Sequence, residues 1–110
     1  MGAYERGPAT PVPSPPAAAA PRLLPAHPNP FNPTTTIRFE LPAEARATLR
    51  VFDLAGRMVR TLIDEERPAG AHAATWDGRD DRGRRLASGV YLCRLDAGGH
   101  AATRKLVLAK

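Results

Sequence analysis

Two asparagine-proline pairs surround one phenylalanine in residues 29–33, Asn29-Pro30-Phe31-Asn32-Pro33, and this segment restricts the fold more than any other part of the chain. Proline has a fixed φ and no amide hydrogen, and it forces the residue before it into extended geometry. The segment therefore belongs neither to a helix nor to a central strand. We predict that this Asn-Pro segment is a rigid, extended entry into a β-domain, with Phe31 as its one apolar anchor.

The residues before the Asn-Pro segment have the composition of a linker. Residues 8–21 are rich in proline and alanine, which favours a semi-rigid polyproline II spacer. We therefore divide the chain into a disordered linker, residues 1–21, and a folded domain, residues 22–110. Residues 1–21 contain Glu5 and no apolar run typical of a signal peptide. We expect a larger protein, with its own export signal, upstream of this piece.

Strand patterns recur about every 8 to 12 residues after the Asn-Pro segment, as in antiparallel β-sandwiches. Apolar residues alternate with polar ones at Ile37, Phe39 and Leu41, and no helical period appears in the domain. The chain is therefore predicted to be all-β, with about seven strands. The predicted strands cover residues 23–24, 34–41, 47–52, 58–63, 72–76, 89–95 and 101–108.

Turn chemistry defines two hairpins in this pattern. In residues 53–57, Asp53 can accept hydrogen bonds from the backbone two residues on, and Gly56 can adopt a positive φ. Residues 98–99, two glycines, predict a second tight turn, whereas residues 64–70 and 77–88 have the composition of loops. The expected core comprises Phe31, Ile37, Phe39, Leu49, Val51, Trp76, Val90, Leu92 and Leu106.

The net charge of +5, from 16 Lys and Arg against 11 Asp and Glu, argues against one class of partner. The arginines are spread along the domain, without a basic stripe and a reading element. The pattern therefore indicates solvated strand faces and no nucleic-acid surface. An acidic or anionic-glycan partner stays open as an alternative. We expect the domain to be a monomer.

The cysteine and the histidines do not have the spacing that a disulfide or a metal site requires. Cys93 is the only cysteine and lies in a strand pattern, so we predict a small buried hydrophobe and no intrachain disulfide. His27, His72 and His100 are dispersed and lack the spacing of metal ligands. With no nucleophile and base in a recognisable motif, the sequence predicts neither an enzyme nor a cofactor site.

One carboxylate cluster, Asp77, Asp80 and Asp81, required a separate interpretation. Three aspartates within five residues could supply oxygen ligands to calcium, but their spacing is not that of an EF-hand and arginines interleave with them. We predict Asx turns with surface ion pairs and no metal, with calcium as the alternative. Trp76 precedes the cluster and is predicted to pack in the core, with a carbohydrate-stacking platform as the alternative.

From Leu24 to Lys110 the chain resembles the type A C-terminal sorting domain of type IX secretion, and also the Ig-like domain of the flagellar hook-capping protein. The resemblance rests on blocks at residues 28–33, 51–57, 76–78, 88–91 and 105–108. The residues that carry the family motif are Asn29, Pro30, Phe31, Asn32, Pro33, Asp53, Gly56, Arg57, Trp76, Asp77, Gly78, Gly89, Tyr91 and Lys105.

The resemblance implies a seven-stranded, Ig-like (fibronectin-III-like) sandwich at the end of a secreted or surface protein that passes through the periplasm. It also implies that outer-membrane secretion machinery recognises the domain and that a peptidase removes it from its cargo. A structural cap or assembly module is the alternative that the same resemblance allows. We expect the last hairpin, Tyr91 to Leu108, to present an open sheet edge to the machinery, with Arg104 and Lys105 protecting that edge against self-association.

Overall fold

The computed structural model describes residues 20–109, and the predictions made for residues 1–19 and for Lys110 lie outside the described residues. Seven strands and no helix occur in this range, which confirms the predicted all-β class. Accordingly, none of these residues forms a helix that could cross a membrane. The strands are β1 (Arg22–Leu23), β2 (Thr35–Leu41), β3 (Ala45–Phe52), β4 (Met58–Arg67), β5 (Gly70–Trp76), β6 (Gly89–Ala97) and β7 (His100–Leu108).

The strands form two antiparallel sheets that pack as an Ig-like sandwich. One sheet has the order β1-β2-β5, and the other has the order β4-β3-β6-β7. Strand alternation sends Ile37 and Phe39 from one sheet, and Leu49 and Val51 from the other, into a common core, where each is at most 1% exposed. Four strands, β1, β5, β4 and β7, therefore lie at sheet edges.

Seven of the nine predicted core residues are buried, but the predictions for Val90 and Leu92 were wrong. Both are half-buried on the outer face of the four-stranded sheet, because their neighbours Tyr91 and Cys93 take the inward positions of β6. Residues 90–93 are continuously apolar. This run hides the period-two alternation that would have shown which face each residue occupies. The buried thiol of Cys93 agrees with its prediction.

Strand β4 is longer than the sequence indicated. Residues 64–67 were predicted to lie in a loop, yet they pair with Ala45 to Thr48 of β3. Charged side chains lie on the solvent face of this extension, where the guanidinium of Arg46 donates to the carboxylate of Asp64 at 2.8 Å. Residues 64–67 contain no apolar residue, so the alternation that indicates a strand is missing there. The other strands agree with their predicted bounds to within two residues.

The strand registers define two ends of the sandwich. Thr35 pairs with Trp76, Phe52 with Leu92, and Gly89 with Leu108, so these strand termini lie at one end, together with the segments 29–33, 53–57 and 77–88. We call this the motif end. The described chain begins at the opposite end, where Arg22 pairs with Glu40.

Candidate functional site

The Asn-Pro segment leaves the three-stranded sheet and pairs with the last strand of the other sheet. Before it, His27 still forms a bridge to Thr36 of β2. Phe31 then bridges Leu108 in parallel, with its N–H donating to the carbonyl of Val107 at 2.9 Å. Its own carbonyl accepts from the N–H of Ala109 at 2.8 Å. The predicted entry segment is therefore also joined to the four-stranded sheet by a single parallel bridge at Phe31.

Asn29 extends this pairing with its side chain. Its amide nitrogen donates to the carbonyl of Lys105 at 2.9 Å, and its amide oxygen accepts from the N–H of Val107 at 2.8 Å. An asparagine side chain carries the same donor and acceptor as a peptide group. Asn29 therefore imitates one residue of a neighbouring strand, which explains why an asparagine serves at this position.

These bonds correct the prediction of an open edge along β7. The backbone groups of Val107 that point away from β6 are already bonded, as is the outward carbonyl of Lys105. By strand alternation, the outward groups of Ala101 and Thr103 and the N–H of Lys105 have no hydrogen bond within residues 20–109. Arg104, which was predicted to protect this edge against self-association, donates from its Nε to the carbonyl of Leu23 in β1 at 2.8 Å.

Three aromatic rings join the Asn-Pro segment to both sheets. The ring centroid of Phe31 lies 5.4 Å from that of Trp76, and the centroid of Trp76 lies 5.5 Å from that of Tyr91 in an edge-to-face arrangement. Such spacings give aromatic pairs a stabilisation beyond that of buried area. Trp76 is fully buried, as predicted, and its Nε1 donates to the carbonyl of Arg79 at 2.9 Å. No face of this ring is available to a sugar.

Gly78 is required by the same packing. Its φ is +75°, and a Cβ at this position would lie 3.3 Å from both the carbonyl oxygen of Pro33 and a methyl group of Leu108. A side chain would therefore be strained by its backbone conformation and crowded by two neighbours. The glycine lets the segment after Trp76 approach the Asn-Pro segment and the end of β7.

Tyr91 fixes the start of β6. Its hydroxyl donates to the carbonyl of Ala87, four residues earlier, at 2.6 Å, as in the tyrosine corner of Ig-like sandwiches. Burial, with a smaller contribution from the negative charge of Asp53, raises the pKa of this hydroxyl above its ordinary value of 10.0. Gly89, the first residue of β6, has a φ of +147°, a backbone conformation that favours glycine.

The predicted turn at residues 53–57 is confirmed in detail. Oδ1 of Asp53 accepts hydrogen bonds from the N–H groups of Ala55 at 3.0 Å and Arg57 at 2.9 Å, and Gly56 has a φ of +87°. The guanidinium Nε of Arg57 donates to Oδ2 of the same carboxylate at 3.0 Å. The hydrogen bond from the Arg57 N–H is the main reason that the pKa of Asp53 falls below 3.8.

One of the Asx turns predicted in the aspartate cluster lies at residues 80–84, and it repeats the 53–57 turn, which the sequence analysis did not recognise. Oδ1 of Asp80 accepts from the N–H groups of Arg82 and Arg84, both at 2.9 Å, and Nε of Arg84 donates to Oδ2 at 3.2 Å. Gly83 has a φ of +80°, and the N–H of Arg84 is again the main cause of a lowered pKa at Asp80. The shared pattern Asp-x-x-Gly-Arg would have revealed the repeat.

The remaining two aspartates of the predicted cluster connect the 77–88 loop to β4. Asp77 accepts from the guanidinium of Arg60 at 3.0 Å and from the N–H of Arg79 at 3.1 Å. Asp81 accepts from the N–H of Thr61 at 3.1 Å, and its own N–H donates to the carbonyl of Val59 at 2.9 Å. The predicted Asx turns and ion pairs are thus observed, and residues 20–109 hold no cluster of three or more ligands for a metal ion.

A model of the FlgD Ig-like domain matches residues 29–100, from the Asn-Pro segment to the beginning of β7. The chain belongs to the FlgD Ig-like domain family. The match begins at Asn29, the residue whose side chain pairs with β7, and it includes both Asp-x-x-Gly-Arg turns. Lys105 lies outside the matched residues, and for it as for the other listed residues a role in the family motif stays a prediction.

Individual members of the FlgD family and several solved structures are also similar to this chain. The basal-body rod modification protein FlgD of Salmonella typhimurium is 38% identical over 55 residues, which are 50% of this chain and 23% of that protein. The chain therefore spans about a quarter of the length of the curated relatives that it matches.

Two solved structures from Porphyromonas gingivalis share the fold. One is dimeric latent PorU, with a TM-score of 0.65, 18% identity, and coverage of 81% of this chain and 9% of PorU. The other is PorZ, described as a surface component of the type-IX secretion system, with a TM-score of 0.56, 20% identity, and coverage of 80% and 11%. The predicted resemblance to the FlgD Ig-like domain is confirmed by the family match, and the likeness to PorU and PorZ is one of fold.

Within this FlgD-type domain, most of the listed motif residues are close neighbours at one end of the sandwich. Asn29, Phe31, Trp76, Gly78 and Tyr91 form the connected set described above. The turn at residues 53–57 adjoins it, close enough for the charge of Asp53 to act on Tyr91. The structure thus brings together residues that are widely separated in the sequence. At this end of the sandwich, carboxylates and guanidinium groups are paired with one another through hydrogen bonds.

Proposed function

We propose that this domain is a non-catalytic module that targets or anchors a larger secreted or surface protein through type IX secretion. One observation carries the proposal. The motif residues converge on the end of the sandwich opposite to the point where the described chain begins. A cargo joined through residues 1–21 would therefore lie away from the motif end, which stays accessible to outer-membrane machinery. The structural similarity to PorZ supports the assignment to that system.

The absence of a catalytic role is part of this proposal. The carboxylates at the motif end accept backbone N–H groups or guanidinium groups, and burial raises the pKa of the only thiol, Cys93, to about 12. Such a thiol stays protonated and is a poor nucleophile. The Pro/Ala-rich composition of residues 8–21 suits a peptidase site between cargo and module. We propose that the module acts as a monomer, outside the cytoplasm, without cofactor or metal.

A reporter fusion tests the targeting role. A periplasmic export signal, a reporter enzyme and residues 1–110 are joined and expressed in a type IX-competent bacterium, beside a fusion that lacks residues 20–110. We expect surface activity from the first fusion and periplasmic retention of the second. Deletion of the last strand is not a suitable test, because Leu106 and Leu108 are core residues. Equal surface activity of the two fusions would contradict the proposal.

The alternative is an assembly module like the Ig-like domain of FlgD, and the family match favours it directly. In this case the module contributes to a larger structure and is not itself a signal. The test replaces the Ig-like domain of Salmonella typhimurium FlgD with residues 20–109 and scores motility. Restored motility, together with failure of the reporter fusion to reach the surface, would favour assembly over targeting.

A further inference from the structure

The two Asp-x-x-Gly-Arg turns at the motif end present their arginines in the same way. In each turn Nε bonds to the aspartate, and within residues 20–109 neither Arg57 nor Arg84 uses its terminal Nη groups in a hydrogen bond. The side chains are 83% and 69% exposed. A guanidinium that is oriented through Nε and open at both Nη atoms has the geometry to bind a carboxylate with two parallel hydrogen bonds.

Turn stability does not account for these arginines. In both turns Oδ1 of the aspartate already accepts two backbone N–H groups, and the glycine N–H donates to the aspartate carbonyl at 3.0 Å in the first turn and 2.9 Å in the second. The added ion pair joins a largely exposed guanidinium to the carboxylate, and such pairs contribute little to folding. The same arginine geometry nevertheless occurs twice on one surface.

The surface between the turns combines positive charge with apolar groups. Arg57, Arg82 and Arg84 line one shallow groove together with Met58 and Leu86. Met58, in this groove, is 49% exposed, whereas Leu54, at the tip of the first turn, is 69% exposed and lines a separate depression with Leu92 and Arg94. Asp80 and Asp81 also line the groove, but their carboxylates are already bonded, Asp80 to Arg84 and Asp81 to the β4 backbone. The groove therefore favours a ligand that carries both carboxylates and aliphatic side chains.

We propose that the two turns form a docking surface for an acidic peptide segment of a partner protein. Arg57 and Arg84 bind carboxylates of the segment, and Met58 and Leu86 contact its apolar side chains. A glycan is the less suitable ligand, because the groove presents aliphatic and sulfur-containing side chains and no exposed aromatic ring. This inference names the kind of partner that the proposed function requires, and it rests on that function only for its biological setting.

The test selects peptides from a random 12-residue display library on the purified full chain. We expect enrichment of Asp and Glu beside aliphatic residues. A selected peptide, synthesised with a fluorescent label, should bind R57Q/R84Q at least about tenfold more weakly than the unaltered chain. The matched control is R22Q/R46Q, which removes the same charge from two exposed, ion-paired arginines at the opposite end. Its affinity should stay within about twofold.

Three results would overturn the proposal. The first is a library output without acidic enrichment, or no output. The second is equal weakening by R57Q/R84Q and R22Q/R46Q, which would show attraction by net charge alone. The third is Arg57- and Arg84-dependent binding of heparin, as an anionic-glycan probe, without binding of acidic peptides. A Tm of R57Q/R84Q within about 3 °C of the original verifies folding. Because no secretion step is involved, failure here is distinct from failure of the reporter fusion.

Discussion

Arg104 of β7 donates from its Nε to the carbonyl oxygen of Leu23 in β1, at 2.8 Å, and so connects the edges of the two sheets. A charged donor to a partly buried carbonyl is stronger than a neutral hydrogen bond. We expect Arg104→Gln to lower the free energy of unfolding by about 1–2 kcal/mol in urea titrations. The control is Lys105→Gln on the adjacent, exposed position, with an expected change below about 0.5 kcal/mol. Equal effects would contradict a specific role for Arg104.

Asn29 offers a second test, because its side chain replaces a peptide group beside β7. Asn29→Ala removes the hydrogen bonds to Lys105 and Val107, and we expect a loss of about 1–3 kcal/mol, since two backbone groups lose their partners. Amide hydrogen exchange should become faster at Val107 in particular. Asn32→Ala, in the same segment, is the control. Unchanged protection of Val107 in Asn29→Ala would show that the side-chain pairing is not formed in solution.

The aromatic cluster predicts that two substitutions at Trp76 reduce the folding stability by different amounts. Trp76→Ala should cost ~3–5 kcal/mol, as is usual for emptying a large core site. Trp76→Phe keeps a ring beside Phe31 and Tyr91 but loses the bond to Arg79, so about 1–3 kcal/mol is expected. Chemical denaturation measures both values. A loss below ~1 kcal/mol for Trp76→Ala would place the indole on the surface and favour the carbohydrate platform.

The two Asp-x-x-Gly-Arg turns should make the folding stability of the domain depend on pH in the acidic range. The pKa values of Asp53 and Asp80 lie below 3.8 in the folded chain because their carboxylates accept backbone N–H groups. A lowered folded-state pKa gives stability that is present above pH 3.8 and is lost as the pH falls through the folded-state pKa. In D53N/D80N this part of the acid dependence should be absent. Thermal unfolding between about pH 2 and 6 measures it, and identical slopes below pH 4 would contradict the assignment.

The reactivity of the Cys93 thiol can be used to measure how often the whole domain unfolds. Burial raises the pKa of its thiol to about 12, so the thiolate is scarce and inaccessible in the folded chain. Ellman's reagent at pH 8 should therefore react only as fast as the domain unfolds, and at the rate of a free thiol in 6 M guanidinium. A variant such as Trp76→Ala should accelerate the reaction in the absence of denaturant. Rapid modification of the unaltered domain would show that β6 is not buried as described.

Local sequence signals predicted most of this fold because they act over a few residues. The Asp53 turn, the Gly98-Gly99 turn and the alternation in β2 each depend on neighbours within about five positions. These local signals failed where one sequence pattern allows more than one interpretation. Residues 90–93 are apolar at every position, and the Asx turns predicted in the aspartate cluster were not recognised as including a repeat of the Asp53 turn.

The connection between the Asn-Pro segment and β7 could not be predicted from such local signals. Asn29 bonds to residues 76 and 78 positions later in the sequence. Proline chemistry correctly predicts an extended segment, but it carries no information about which sheet that segment joins. The partner is determined by the packing of Phe31 on Trp76 and by the space that Gly78 leaves, and both depend on the assembled sandwich.

The parallel pairing of Phe31 with β7 also determines how the domain would respond to tension. A pulling force applied between residue 20 and Ala109 acts along the long axis of the strands, because these residues lie at opposite ends. It draws the Asn-Pro segment and β7 in opposite directions, so the bonds of Phe31 and Asn29 to β7 are loaded in shear and must break together. We therefore expect this pairing to resist a stretching force that is applied along the strands.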